Sequence, residues 1–157
     1  MICRKTINYT ESLLATFAVG LFLSVACSQA RAGGAADVEP LQLRKIMQEL
    51  TRNMQNTTSA ISIRDWGQVA KLAPQIATHP QPSLSEKMRI LAYLGADARR
   101  FREFDKQTHE SAYAMGDAAR RGDGKAVIQS FAKVQESCLA CHQEFRKPFL
   151  EHFYGQH

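Results

Sequence analysis

The chain has 157 residues, 45% of them hydrophobic and 22% charged, with a formal net charge of +5. That length and apolar share are enough for one ordinary core and favour a single domain over two. The charge excess is too weak to argue for a nucleic-acid partner.

Residues 1–32 read as separate from that domain. Arg4 and Lys5 precede an apolar run from about Leu13 to Ala26, and small residues follow it. A run of roughly 14 residues suits a secretory signal and falls short of the roughly 20 that a membrane span needs. Cleavage after "ARA", Ala30 to Ala32, leaves a domain of residues 33–157. Lipid attachment at Cys27, preceded by "SVA", is the rival reading, although Leu23 stands one position too early for a lipobox. The expectation is an exported, periplasmic protein with no membrane span after cleavage. Cys3 and Cys27 leave with the signal, so only Cys138 and Cys141 remain and no disulfide framework is left. Loss of Arg4, Lys5, Arg31 and Glu11 takes the balance to about +3. Arg99, Arg100 and Arg102, and again Arg120, Arg121 and Lys125, read as solvated helix faces, with an acidic redox partner as the functional alternative.

The remaining chain shows helical periodicity throughout and no sustained strand alternation, which gives an all-α class. A first helix is expected from Val38, capped by Asp37 with Pro40 in its first turn. Its seam is Leu43, Met47, Leu50, Met54 and Ile61, with Thr57 as a polar gap. A second opens at Asp65 and runs through Trp66, Val69, Leu72, Ala73 and Ile76, kinked by Pro74 and ended by "THPQP". Ser83 stands three residues before Glu86, a capping-box arrangement, so a short extra helix is expected to about Leu94, with a bend at Gly95. A long helix follows from about Asp97, with Phe101, Phe104, Thr108, Ala112, Met115 and Ala119 on one face, and Gly122 closes it. Asp123 then caps the last helix, whose buried stripe is Val127, Phe131, Val134, Cys138, Cys141 and Phe145. Four amphipathic helices with short connections predict an up-down-up-down four-helix bundle, plus the short helix between its second and third members.

The stretch "ESCLACHQEFR", Glu136 to Arg146, carries the chemistry. C-x-x-C-H is the sequence through which haem c is held, by two thioether bonds and an axial histidine. Residues three and four apart share a helix face, so Cys138, Cys141 and His142 can address one flat porphyrin. A zinc site would want two further ligands at suitable spacing, and a thioredoxin-like pair would want a βαβ context that is absent. One covalent haem c through Cys138 and Cys141 is therefore expected.

At these residues the chain resembles the class II c-type cytochromes, four-helix bundles whose haem site lies near the C-terminus in a "CxxCHxxFR"-like ending, matched here by "CLACHQEFR". The segment "LRKIMQELTRNM", Leu43 to Met54, is similar to the "LM…RxM" segment of the low-spin, six-coordinate branch of the cytochrome c-prime family. The resemblance implies that Met47 is the sixth iron ligand, that Arg52 lies near the haem propionates, and that Arg146 lies beside the proximal histidine. It also implies redox partner proteins and, as in many members, a homodimer through the first two helices. The segment from Ser83 to Gly95 and the tail "PFLEHFYGQH" depart from the pattern.

Helix lengths give a second approach to Met47. In such a bundle the start of the first helix lies beside the end of the last. Met47 is then roughly 14 Å into its helix and His142 roughly 8 Å from the end of its own. Met54 would be about 10 Å further along. His109, at a comparable height on the third bundle helix, competes for the iron, and an open sixth position is the other alternative. A His/Met-ligated haem suits one-electron transfer, whereas an open position suits NO or CO binding. No distal acid and base pair points to an enzyme.

Overall fold

The computed structural model describes residues 40–155. The expected signal segment at 1–32, its expected cleavage site, Cys27 and the expected helix start at Asp37 and Val38 lie outside the described residues. Contacts divide the chain into two units, Met1–Gly33 and Gly34–His157, and everything below belongs to the second.

Its described residues form helices and no strand: α1 (Leu43–Ser62), α2 (Trp66–Ala77), α3 (Leu84–Leu94), α4 (Ala98–Arg120), α5 (Gly124–Cys141) and α6 (Lys147–Tyr154). The bundle consists of α1, α2, α4 and α5. α1 packs on α2, α2 on α4 and α4 on α5, while α1 makes a smaller contact with α5. The extra helix α3 stands between the second and third bundle helices, as Ser83 and Glu86 suggest. No helix among the described residues is long and apolar enough to cross a membrane.

Local punctuation sets most boundaries. Asp65 accepts a hydrogen bond from the Gln68 N–H at 2.9 Å, and Asp123 accepts one from Ala126 at 3.0 Å. Each closes a turn after only three residues, so the helices on either side run antiparallel. α2 continues across Pro74, which lacks the N–H that would reach Ala70, and ends at Ala77. Gly95 ends α3 at φ +52°, a conformation costly for a residue with a Cβ, and a 3₁₀ turn through Asp97 leads into α4.

Three expectations need correction. First, α1 begins at Leu43, with Pro40 before it rather than in its first turn. The start is set from a distance: Glu86 of α3, almost wholly buried, accepts from the backbone N–H groups of Gln42 and Leu43 at 2.7 and 2.8 Å. Half the expected capping box forms, with Ser83 accepting from Glu86 N–H at 3.3 Å, while the Glu86 carboxylate caps α1 instead of reaching back.

Second, the expected α1 seam is only half-buried, and the buried stripe is Ile46, Asn53, Thr57 and Ala60. Thr57 is no gap. Its side chain is fully buried and donates to the Asn53 carbonyl at 2.8 Å. α1 thus carries two adjoining stripes, a buried one and a half-exposed apolar one through Met47, Leu50 and Met54.

Third, the last helix does not stop near Arg146. A π turn spans His142–Arg146 and hands over to α6. The extra residue of a π turn advances the following side chains by about 100° around the axis. Phe145, Phe149 and Phe153, four apart, share one buried face of the continued helix.

Two clusters make the core. One, among the bundle helices, joins Ala60, Val69, Ala73, Ile76, Ala77, Ala112, Met115, Ala118, Ala119, Val127 and Val134. The other, at the end where α3 and α6 dock, joins Leu41, Ile90, Leu94, Phe145, Phe149 and Phe153, with Tyr93, Phe101 and Phe104 against it.

Candidate functional site

The C-x-x-C-H residues lie where these clusters meet. Cys138, on the penultimate turn of α5, packs against the bundle cluster, and Cys141, one turn on, packs against the aromatic one. Both are half-buried free thiols. Burial raises the pKa of each. At Cys141 burial, reinforced by Cys138, Asp105 and Glu144, pushes it up to about 12. Both thiols therefore keep their protons at neutral pH.

His142 opens the π turn and is exposed. Its surroundings, together with the Arg146 cation one turn on, lower its pKa, so its imidazole is neutral at pH 7 and has a lone pair to offer a metal. Arg146 is exposed, and Glu144 between them holds Arg100 of α4 at 2.8 Å. Behind the cysteines, Thr108 and Ser137 share a buried hydrogen bond of 2.7 Å. One of the two hydroxyls donates to the other, which ties α4 to α5 at this level, and the accepting hydroxyl donates to a carbonyl of its own helix, Phe104 for Thr108 or Val134 for Ser137.

On α1, Met47 is half-buried and Arg52 is exposed. Met47 stands only four residues into α1 and His142 is followed by helix as far as Tyr154, so helix lengths alone do not bring the two to one height. The packing supplies a different measure. Leu43 packs with the cluster that includes Cys141, and Leu50 with the cluster that includes Cys138. Met47 lies one turn from each, at the border the two cysteines straddle.

His109 is engaged elsewhere. Its Nε2 lies 3.0 Å from His79 Nε2 and 3.4 Å from Asp105 Oδ1, and His79 Nε2 lies 3.3 Å from the same oxygen. Sequence reasoning missed this cluster. Asp105 and His109 stand four apart on α4, a readable spacing, but His79 arrives from the loop after α2 and nothing local announces it.

Among the described residues, His79, Asp105 and His109 are the one set of such groups whose ligand atoms converge within 4.8 Å. Cys138, Cys141 and His142 do not converge in this way. Their donors are spread along a helix face beside a half-exposed apolar stripe of α1, an arrangement that suits a flat macrocycle better than a point ion. The residues therefore fit a covalently held haem.

No curated protein and no solved structure matches the chain. A family model described as Cytochrome C' matches residues 41–146, from the buried Leu41 ahead of α1 to the last residue of the π turn. By that match, which takes in the four bundle helices and the C-x-x-C-H residues, the chain belongs to the cytochrome c′ family of haem-binding c-type cytochromes.

Proposed function

We propose that the chain is an exported monohaem c-type cytochrome that carries single electrons and is not an enzyme. Cys138 and Cys141 hold the haem through thioether bonds, and His142 and Met47 are its axial ligands. The observation that carries the reading is the meeting of α1 and α5. Met47 lies on a half-exposed apolar stripe at the border marked by the two cysteines, and the contact between the two helices there is slight. A haem with histidine and methionine ligands supplies an iron with no vacant position and a raised potential, suited to outer-sphere electron transfer.

The chain's own residues do the rest. His142 is neutral and free to ligate. Arg146 keeps positive charge beside the proximal imidazole, and Arg52, exposed on α1, is available to a propionate. His109 is turned toward His79 and Asp105, which favours Met47 over it as sixth ligand. Exposed Arg99, Arg100 and Arg102 at the start of α4 offer an acidic redox partner a basic face. Release of residues 1–32 delivers the domain to the periplasm. Intact mass of the purified protein checks this, a chain from Gly33 plus one haem being expected rather than a lipid adduct on Cys27.

Absorption spectra of the ferric and ferrous protein test the ligand set. The wild type should be low-spin and slow to bind CO. Met47→Ala should turn the haem high-spin and lower its potential, and His109→Ala should leave the spectrum unchanged. A spectrum that survives Met47→Ala and collapses in His109→Ala would assign a bis-histidine site. A high-spin wild type that binds CO rapidly would replace the carrier with a five-coordinate NO or CO binder.

A further inference from the structure

We propose that His79, Asp105 and His109 form a second metal site, separate from the haem iron, that takes one divalent ion of the zinc class. The three ligand atoms form a nearly equilateral triangle, with edges of 3.0, 3.3 and 3.4 Å. Bonds of about 2.0–2.1 Å in a tetrahedral zinc site put neighbouring ligand atoms about 3.3 Å apart, close to that triangle. The Nε2–Nε2 contact of 3.0 Å is also an ordinary hydrogen-bond length, whereas both contacts with Asp105 are longer than a good charge-assisted one. A charge-assisted contact between imidazole and carboxylate closes to about 2.7–2.9 Å, shorter than either contact with Asp105.

His79 Nδ1 lies 2.9 Å from the Pro80 carbonyl, which can only accept, so Nδ1 carries the hydrogen. In neutral His79 the lone pair is then on Nε2, aimed at the Asp105 carboxylate and at His109 Nε2. Two acceptors, the Nε2 lone pair and a carboxylate oxygen, then face one another, and a hydrogen on His109 Nε2, a proton on His79 or a metal ion can stand between them. A backbone carbonyl holding the far nitrogen of an imidazole is also how metal-binding histidines are oriented.

The scaffold is stiff where it matters. Asp105 and His109 stand one turn apart on α4, and the buried His79 is fixed in the loop between α2 and α3. The two imidazole rings meet nearly perpendicular, at 85° with centroids 4.9 Å apart. Two imidazoles and one carboxylate suit zinc, copper, nickel or iron rather than magnesium or calcium. Asp105 is exposed, which leaves the fourth position to water. An ion here would pin the loop before α3 to α4.

The test uses the mature haem-containing protein, stripped with chelator and dialysed against Zn²⁺, with zinc and iron both quantified. One zinc per haem is expected. His79→Ala and His109→Ala should each weaken binding by more than the roughly 10–100-fold that outer-shell partners are worth, with the haem spectrum unchanged. X-ray absorption at the zinc edge of the wild type needs no variant and should show two imidazoles with oxygen and no sulfur. A wild type that retains no more zinc than the His79→Ala/His109→Ala double variant would overturn the site and leave a proton-sharing triad. So would a zinc shell that contains sulfur or a single imidazole. Zinc retention, the His79→Ala variant and the zinc-edge spectrum do not depend on the sixth iron ligand, so they judge the site apart from the electron-transfer role, whereas a haem spectrum that changed in His109→Ala would put that histidine on the iron and overturn the site.

Discussion

The two clusters are built on opposite rules. Among the bundle helices the buried residues are mostly small or β-branched, with Ala60, Ala73, Ala112, Ala118 and Ala119 letting backbones approach. At Gly116 a Cβ would lie 3.0 Å from the Ala73 Cβ, so α2 and α4 pack where only hydrogen fits well. The other end is aromatic. Phe101, Phe145, Phe149, Phe153 and Tyr93 meet edge-on or stacked with centroids 5.2 to 6.4 Å apart. Close backbone packing specifies the register of neighbouring helices. Large rings instead recruit elements distant in sequence, here the chain before α1, α3 and α6, around the cysteine pair.

The largest effect is expected from removing the haem that Cys138 and Cys141 are proposed to hold, since the two side chains pack against different regions. Cys138→Ala/Cys141→Ala should yield apoprotein that has lost most of its helical circular dichroism. If it kept full helicity and melted like the parent, the two clusters would suffice without the haem. Phe149→Ala removes a ring that touches Tyr93, Phe101, Phe145 and Phe153, and should cost about 3–5 kcal/mol in urea unfolding. Hydrogen exchange should quicken in α3 and α6 while α2 stays protected, and uniform quickening would mean that the regions unfold as one. Glu86→Ala strips the cap from α1 and should cost about 2 kcal/mol, with the amides of Gln42 and Leu43 exchanging first. Gly116→Ala should cost least. Overpacking of about 1–3 kcal/mol is offset by about 1 kcal/mol of helix propensity, and a net stabilisation would show that α2 and α4 can part at no cost.

What the sequence revealed was what depends on neighbours along the chain. Asp65, Ser83 and Asp123 cap the helices they precede, because a cap needs only a side chain three residues from an N–H. The bundle, the extra helix and the C-x-x-C-H face were legible for the same reason. Contacts set by tertiary structure were not. Glu86 reads as half of a capping box, yet its carboxylate serves backbone 43 and 44 residues away. Thr57 reads as a defect in a seam because periodicity ranks residues by polarity, whereas burial follows whichever face meets α2, and a hydroxyl bonded to the carbonyl four residues back tolerates it. The π turn has no compositional mark at all, and with it went α6 and the placing of Met47 by helix length.

The phenol of Tyr154 donates to the Leu41 carbonyl at 3.1 Å, across 113 residues. Arg44 lies over the same ring at 5.6 Å, so the last turn of α6 clasps the first turn of α1. A link of that span closes the longest loop the described chain contains, and it cannot form until the final residues are present. Bundle helices joined by three-residue turns have no such wait. The timing of the fold is therefore split as its packing is. The alanine-rich seams can zip as each helix becomes available, while the aromatic end, with the Cys141 side chain against it, stays open until α6 arrives.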